Sequence, residues 1–339
     1  LFDMNVSDFQ KNIVQNLRGF YLTQIIAYLG KSKYIDEILN HKLIDVKKNK
    51  LNFSPEILKV IFDYLSNVGF AIKVKNKYKL TELGNDVLRR YSSYFVPHSY
   101  KNYFYFFDKL LKNKKEKILV DRYENILGSG KTHLRYFIHA IYNLKKLGPI
   151  SSLIDIGIGN ADFAINLNKQ NKLNKIFGVD FSNVSVKESS RALNKKKIKN
   201  KVMLCDGGNV DKWAKVATNF LKNENVAISL WFLIHEISNN SEKKIVNFLN
   251  KIKFYFPNSP LIICELVNIP SDILSENKES TYIPEYLLFH QLSSQNVLTF
   301  EKLNSIIKKS KYKIKSRIYF DEIKKKQKTY PSCVLYTLN

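Results

Sequence analysis

From residue 150 onward the chain alternates short apolar, β-rich runs with helical segments. The runs are SLIDIG, KIFGVDFS, VMLCD, VAISLWF and LIICELV. This spacing leaves room for a crossover helix after each strand, so it predicts an α/β fold built on a parallel sheet. A last helix, TFEKLNSIIKKS, is followed by YKIKSRIYF and SCVLYTL with no helix between them. Those two strands are expected to pair antiparallel at the sheet edge.

The first 110 or so residues have a different rhythm. FQKNIVQNLRGFYLTQIIAYLG has helical apolar spacing and stops at Gly30, and YIDEIL and PEILKVIFDYLSNVGF predict two more helices. AIKVKNKYKLT alternates apolar and polar residues about an Asn76–Lys77 turn, a hairpin pattern. Together these are the parts of a winged helix. Its second helix is apolar and poor in side chains that read bases, which favours dimerisation or a substrate lid over DNA binding. The expected organisation is a winged-helix-like dimerisation domain over 1–110, linking helices roofing the active site over 111–147, and a catalytic domain over 148–339. GSGKT, at 128–132, lacks the Gly five positions before Gly-Lys that a phosphate loop needs; Asn125 stands there. It reads as a loop with a helix start at Ser129 or Thr132.

Composition narrows the function classes. The 339 residues carry a net charge of +25, almost all of the excess being Lys scattered among Asn and Ile. Recognition surfaces favour Arg, so diffuse Lys argues for a solvated surface and against a nucleic-acid partner. No apolar stretch reaches the ~20 residues of a membrane span. The opening residues, LFDMNVSDFQ, do not read as a secretory leader. Cys205, Cys264 and Cys333 are widely spaced, odd in number and without a CxxC pair, as expected of a reduced, cytoplasmic protein.

Chemistry concentrates at the strand ends. In LIDIGIGNADFAINL, Gly157 and Gly159 form GxG at a strand-to-helix turn, where backbone N–H groups meet a ligand. Asp180 ends the next strand about 20 residues on, where an acid accepts ribose hydroxyls. A nicotinamide site shares those features. Asp155, two residues before the first Gly, and Asp206, ending MLCD, favour a ligand with a sulfonium and an amino group over a pyrophosphate. The pattern resembles the first motifs of class I S-adenosylmethionine (SAM)-dependent methyltransferases. That resemblance implies a Rossmann-like, seven-stranded and mostly parallel sheet with an antiparallel C-terminal edge. It further implies Asp155, Gly157 and Gly159 at the methionine end, Asp180 on the ribose, Phe181 over one adenine face, and Asp206 with Gly207 at the adenine edge.

LWFLIHEI ends strand four in His235 and Glu236. A zinc-protease HExxH is excluded, because position 239 is Asn239. The whole layout resembles small-molecule O-methyltransferases of plant and bacterial type, which implies a homodimer and a general base at His290, nine positions before Thr299. It is also similar to a subgroup that methylates carbon in 2-oxo acids, through the HE pair and the YLLFH context of His290. In one branch of that subgroup two His hold iron, which implies a divalent or ferric ion on His235 and His290, with Glu236 as outer-sphere base. Arg135 is the candidate for a substrate carboxylate, and Tyr282 and Tyr286 for the acceptor pocket. The expected activity is methylation of a small molecule, at carbon of a 2-oxo acid or similar carboxylate-bearing metabolite. The alternatives are a hydroxyl with His290 as base, a thioether, a nucleic acid, a non-catalytic regulator, and nicotinamide-linked oxidoreduction.

Overall fold

The structure is a computed structural model and describes residues 6–112, 118–238, 241–276, 283–325 and 328–339. The chain divides into two compact units, residues 1–101 with 127–129, and residues 102–126 with 130–339. No helix among the described residues is long and apolar enough to cross a membrane.

The first unit opens with a 26-residue helix, Val6–Lys31. A second helix, Pro55–Asn67, starts as its sequence dictates, with Pro55 in the first turn and Ser54 Oγ accepting from the Ile57 N–H. Strands β1 (Ala71–Val74) and β2 (Lys77–Leu80) form the hairpin. Its turn falls on Lys75 and Asn76, one residue earlier than the alternation predicts, and Lys75 takes the left-handed φ of 55° that the tight turn demands. Ile26, Tyr34, Ile35, Phe62, Leu65, Tyr78 and Leu88 make the core of this unit.

The second unit carries a seven-stranded sheet. Its strands are β3 (Ser152–Ile156), β4 (Lys175–Asp180), β5 (Asn200–Leu204), β6 (Val226–Trp231), β7 (Leu261–Leu266), β8 (Ile314–Lys325) and β9 (Lys328–Leu338). Their order is β5-β4-β3-β6-β7-β9-β8, with β3 to β7 parallel and β9 antiparallel to both neighbours. The mostly parallel sheet with an antiparallel C-terminal edge is the architecture read from the sequence. Helices cover both faces over two apolar cores, one around Trp213, Ile228, Leu249 and Ile306, the other around Phe137, Phe163, Ile176 and Cys264. From β3 the chain steps outward to β4 and β5, then returns to lay β6 on the other side of β3. That reversal opens a crevice at the carboxyl ends of β3 and β6, where open α/β sheets bind ligands.

Two local expectations are corrected. GSGKT is not a loop but the end of helix Arg122–Thr132. Gly130 belongs there because the side chains of Asn160 and Asp162 pack where its Cβ would lie. Nor do His235 and Glu236 finish a strand. β6 stops at Trp231, Phe232 turns the chain at φ 50°, and the pair sits in a short helix, Ile234–Ser238.

Candidate active site

The carboxyl ends of β3 and β4 form a cradle. Gly157 and Gly159 adopt φ of 75° and 57°, a region open chiefly to glycine. The Gly159 N–H donates to Asp180 Oδ2 at 3.1 Å, and the Ser182 N–H donates to its Oδ1 at 2.9 Å. Burial nevertheless raises the Asp180 carboxyl above its ordinary range. Asp155 lies deeper, with Ser229 Oγ of β6 donating to it at 2.6 Å, and burial lifts its carboxyl to about 7. Helix Asp162–Asn171 starts at this turn, and its first residue is itself an acid. A helix N-terminus already facing a carboxylate is poorly suited to a pyrophosphate and compatible with a cationic ligand.

At the edge of the cradle Phe181 is half exposed, a flat apolar face beside Asp180. Asp206 caps its own turn by accepting from the Gly208 N–H at 2.8 Å. Gly207 has no room for a side chain, since a Cβ would meet Ile156 Cγ2 at 2.8 Å, and its carbonyl accepts from Trp213 Nε1 at 2.9 Å.

Across the crevice, β6, β7 and helix Ile283–Leu292 bring together His235, Glu236, Tyr286 and His290. His235 Nδ1 lies 2.8 Å from Glu265 Oε1, and the other oxygen of Glu265 accepts from the Ile234 N–H at 2.8 Å. One carboxylate at the end of β7 therefore fixes both the ring and the start of the helix that carries it. Burial opposes protonation of His235, but the charge and hydrogen bond of Glu265, joined by Glu236, outweigh it and raise the imidazole above its ordinary range. The His290 ring stands edge-on to His235 at 4.8 Å between centroids and packs against Tyr286 at 3.7 Å. His290 Nδ1 donates to the Tyr286 carbonyl at 2.7 Å, while burial and the charge of His235 push His290 down to about 3. A readily protonated imidazole thus stands beside one held neutral.

Arg122 joins the two halves. Its guanidinium carbon lies 4.8 Å over the Phe181 ring, and Nη1 lies 3.7 Å from Glu236 Oε1. Arg135, the cation expected from the sequence, forks instead onto Asp321 of β8 at 3.0 and 2.5 Å. Tyr282 lies outside the described residues. Reading the sequence missed Glu265, Arg122 and Ser229. Glu265 lies within the apolar run LIICELV and away from any glycine turn, the cue that singled out Asp155, and DRYENIL gives Arg122 no mark either.

No protein-family model matches the chain, and no curated protein matches its sequence. Solved structures do match its fold. Human N-acetylserotonin methyltransferase in complex with SAM superposes with a TM-score of 0.64 at 11% identity over 98% of each chain. An O-methyltransferase family protein from Burkholderia thailandensis gives 0.62 at 10%, over 99% of this chain and 98% of the other. The N,N-8-amino-8-demethyl-D-riboflavin dimethyltransferase from Streptomyces davawensis gives 0.55 at 12%, over 99% of both. At such identities the likeness establishes the fold.

Proposed function

We propose that this chain is a SAM-dependent methyltransferase acting on a small, carboxylate-bearing acceptor. The observation that carries the reading is His235, tied to Glu265 and set across the crevice from the Gly157–Gly159 and Asp180 cradle. On this reading Asp155 takes the cofactor's amino group, Asp180 the ribose, Phe181 one adenine face, and the turn at Asp206 and Gly207 the adenine edge. The acids of the cradle fit a cationic ligand better than a dinucleotide. When bound, SAM supplies a methyl group on a sulfonium, poised for in-line displacement. The protein's part is to orient the acceptor, exclude water and take its proton.

His235 is the better base. Glu265 fixes its tautomer through Nδ1, which leaves Nε2 as the proton-accepting nitrogen, and its raised pKa gives it affinity for the proton it removes. Arg122 provides the cation for a carboxylate, with Glu236 as its partner before the acceptor arrives. C-methylation of a 2-oxo acid uses all of these groups: base, acid-side charge and carboxylate anchor. O-methylation of a hydroxyl is the second reading, favoured by the enzymes that share the fold. His290 as its base is a weaker choice, because a ring held at about 3 has little affinity for a proton.

The two imidazoles also fit a metal ion. Each has Nδ1 turned to an acceptor, the arrangement that aims Nε2 at a metal. Among the described residues no third His, Cys, Asp or Glu completes a cluster with them. His235 and His290 would hold the ion, and its chemistry would be Lewis-acid stabilisation of an enolate. We assign residues 1–110 to a winged-helix-type dimerisation domain, 111–147 to linking helices and 148–339 to the catalytic domain.

Calorimetry with S-adenosylhomocysteine and with NADH tests the cofactor, and tight NADH binding alone would refute the proposal. Methyl transfer to 2-oxo acids, phenols and thioethers, paired with metal analysis of the purified protein, then assigns the acceptor.

A further inference from the structure

At the opposite end of the sheet from the crevice, a cavity of about 660 Å³ opens beside β8. Its place follows from register. Ile314 of β8 pairs with Leu338 of β9, which pairs with Leu261 at the start of β7, whereas the active-site Glu265 is near that strand's end. Lys308, Lys313, Lys315 and Arg317 line this cavity with the rings of Tyr312 and Tyr319.

Lysines on an edge strand commonly serve only to keep other strands from pairing there. Three features separate this groove from that role. First, among the described residues none of the four cations has a carboxylate within ion-pair reach, although nearby Lys302 and Lys309 both pair with Glu242. Second, Arg317 is oriented without being neutralised, since Nη1 donates to the amide oxygen of Asn304 at 3.1 Å. Third, the ladder slips between Ile314 and Ser316, leaving Lys315 without a cross-strand partner. Such a bulge re-aims a side chain. Lys315, Arg317 and Tyr319 then alternate along one exposed face, roughly 6.7 Å apart at the rise of a strand. Tyr319 is held edge-on against Phe300 at 5.4 Å and is part exposed, a ring on which a base can stack.

We propose that this groove is a binding site for a ligand carrying clustered phosphates next to an aromatic base, separate from the methyl-transfer site. Uncompensated cations interleaved with tyrosine are the combination that holds a phosphate backbone and stacks its bases. A free nucleoside polyphosphate and a single nucleic-acid strand share this chemistry. Lys runs elsewhere, such as KKKIKNK at 195–201, follow one segment of chain, whereas here cations from a helix end and an edge strand converge on one concavity.

The test uses the full chain and three probes: pyrophosphate, ATP and a fluorescent oligothymidylate, the last followed by anisotropy against salt. The variant Lys313→Gln/Lys315→Gln/Arg317→Gln is compared with Lys195→Gln/Lys196→Gln/Lys199→Gln, which removes the same charge from a distant exposed segment. The groove variant is expected to lose about tenfold or more in affinity and to flatten the salt slope by roughly 0.7 per lost phosphate contact, while the distant variant changes little. Tyr319→Ala should weaken ATP and oligonucleotide but not pyrophosphate. Preference for ATP or for the strand identifies the source. S-adenosylhomocysteine binding, retained in every variant, shows that each is folded. Equal losses in both triple variants, no binding of any probe, or polyglutamate competing as well as the oligonucleotide would each overturn the proposal.

Discussion

Glu265 and Asp155 tune the site through opposite balances of burial and charge. Glu265 keeps His235 protonated to a higher pH than an ordinary imidazole, and only the neutral ring can accept a proton. Methyl transfer should therefore rise with pH through the raised His235 value. Glu265→Gln removes the carboxylate's charge, so the acid limb of the pH–rate profile should move to lower pH while the plateau falls on the order of 10²-fold. A profile that keeps its midpoint in Glu265→Gln would remove His235 from the base role. The same shift favours the fold at low pH. Stability from the His235–Glu265 pair is complete below the unfolded imidazole's value and is lost as pH rises through the folded one. Asp155 is raised by burial, to about 7. A raised carboxyl binds a proton that must leave before it can meet a cationic amino group. SAM affinity should accordingly increase between about pH 6 and about pH 8, with proton release seen by calorimetry in buffers of different ionisation enthalpy. Asp155→Asn should bind more weakly and lose that dependence.

The strand-to-helix turns decide which side chains reach the crevice. At β6 the turn is Phe232, in the left-handed region, with its ring packed on that of His133 at 3.9 Å between centroids. After β5 the turn is Gly207, pressed against Ile156 of β3 and bonded by Trp213. Gly207→Ala should cost about 1–3 kcal/mol of stability and weaken S-adenosylhomocysteine binding. Gly208→Ala, whose added carbon meets only the exposed Asp206 carboxylate, should do neither; thermal unfolding with and without ligand separates the two. These turns also mark what could be read in advance. The sheet was legible because apolar runs ending in an acid or a glycine leave few alternatives, and Asp155, Gly157, Gly159 and Asp180 sit where such runs end. Glu265 was hidden by its placement within a run, where burial rather than sequence reveals that it faces His235. Arg122 was illegible because nothing in DRYENIL marks which chain segment its guanidinium meets. GSGKT misleads because two glycines imply a loop, whereas at Gly130 close packing against Asn160 and Asp162 requires one inside a helix.

A net charge of +25 disperses the molecule as a whole, so any self-association must come from a concentrated apolar surface. The first unit has one. Helix Val6–Lys31, about 39 Å long at the rise of an α-helix, exposes Ile13, Leu17, Phe20 and Tyr28 at spacings of 4, 3 and 8 residues. Leu17 is 52% exposed and Phe20 60%, while Ile26 on the opposite side is fully buried in the unit's core. A helix apolar on both faces has one partner within its unit and calls for a second. A second copy of the chain is the occupant proposed here, because a shared two-fold axis lets one stripe cover another without further complementarity. Covering each large side chain is worth roughly 1.5–3 kcal/mol, enough for several together to offset the cost of association. Light scattering should then give twice the 39.6 kDa of one chain. Leu17→Glu/Phe20→Glu should bring the mass down to that of a single chain while leaving S-adenosylhomocysteine binding intact. A wild-type protein that stays at one chain's mass at micromolar concentration would refute the dimer. A double variant that stays at two would move the interface off this helix.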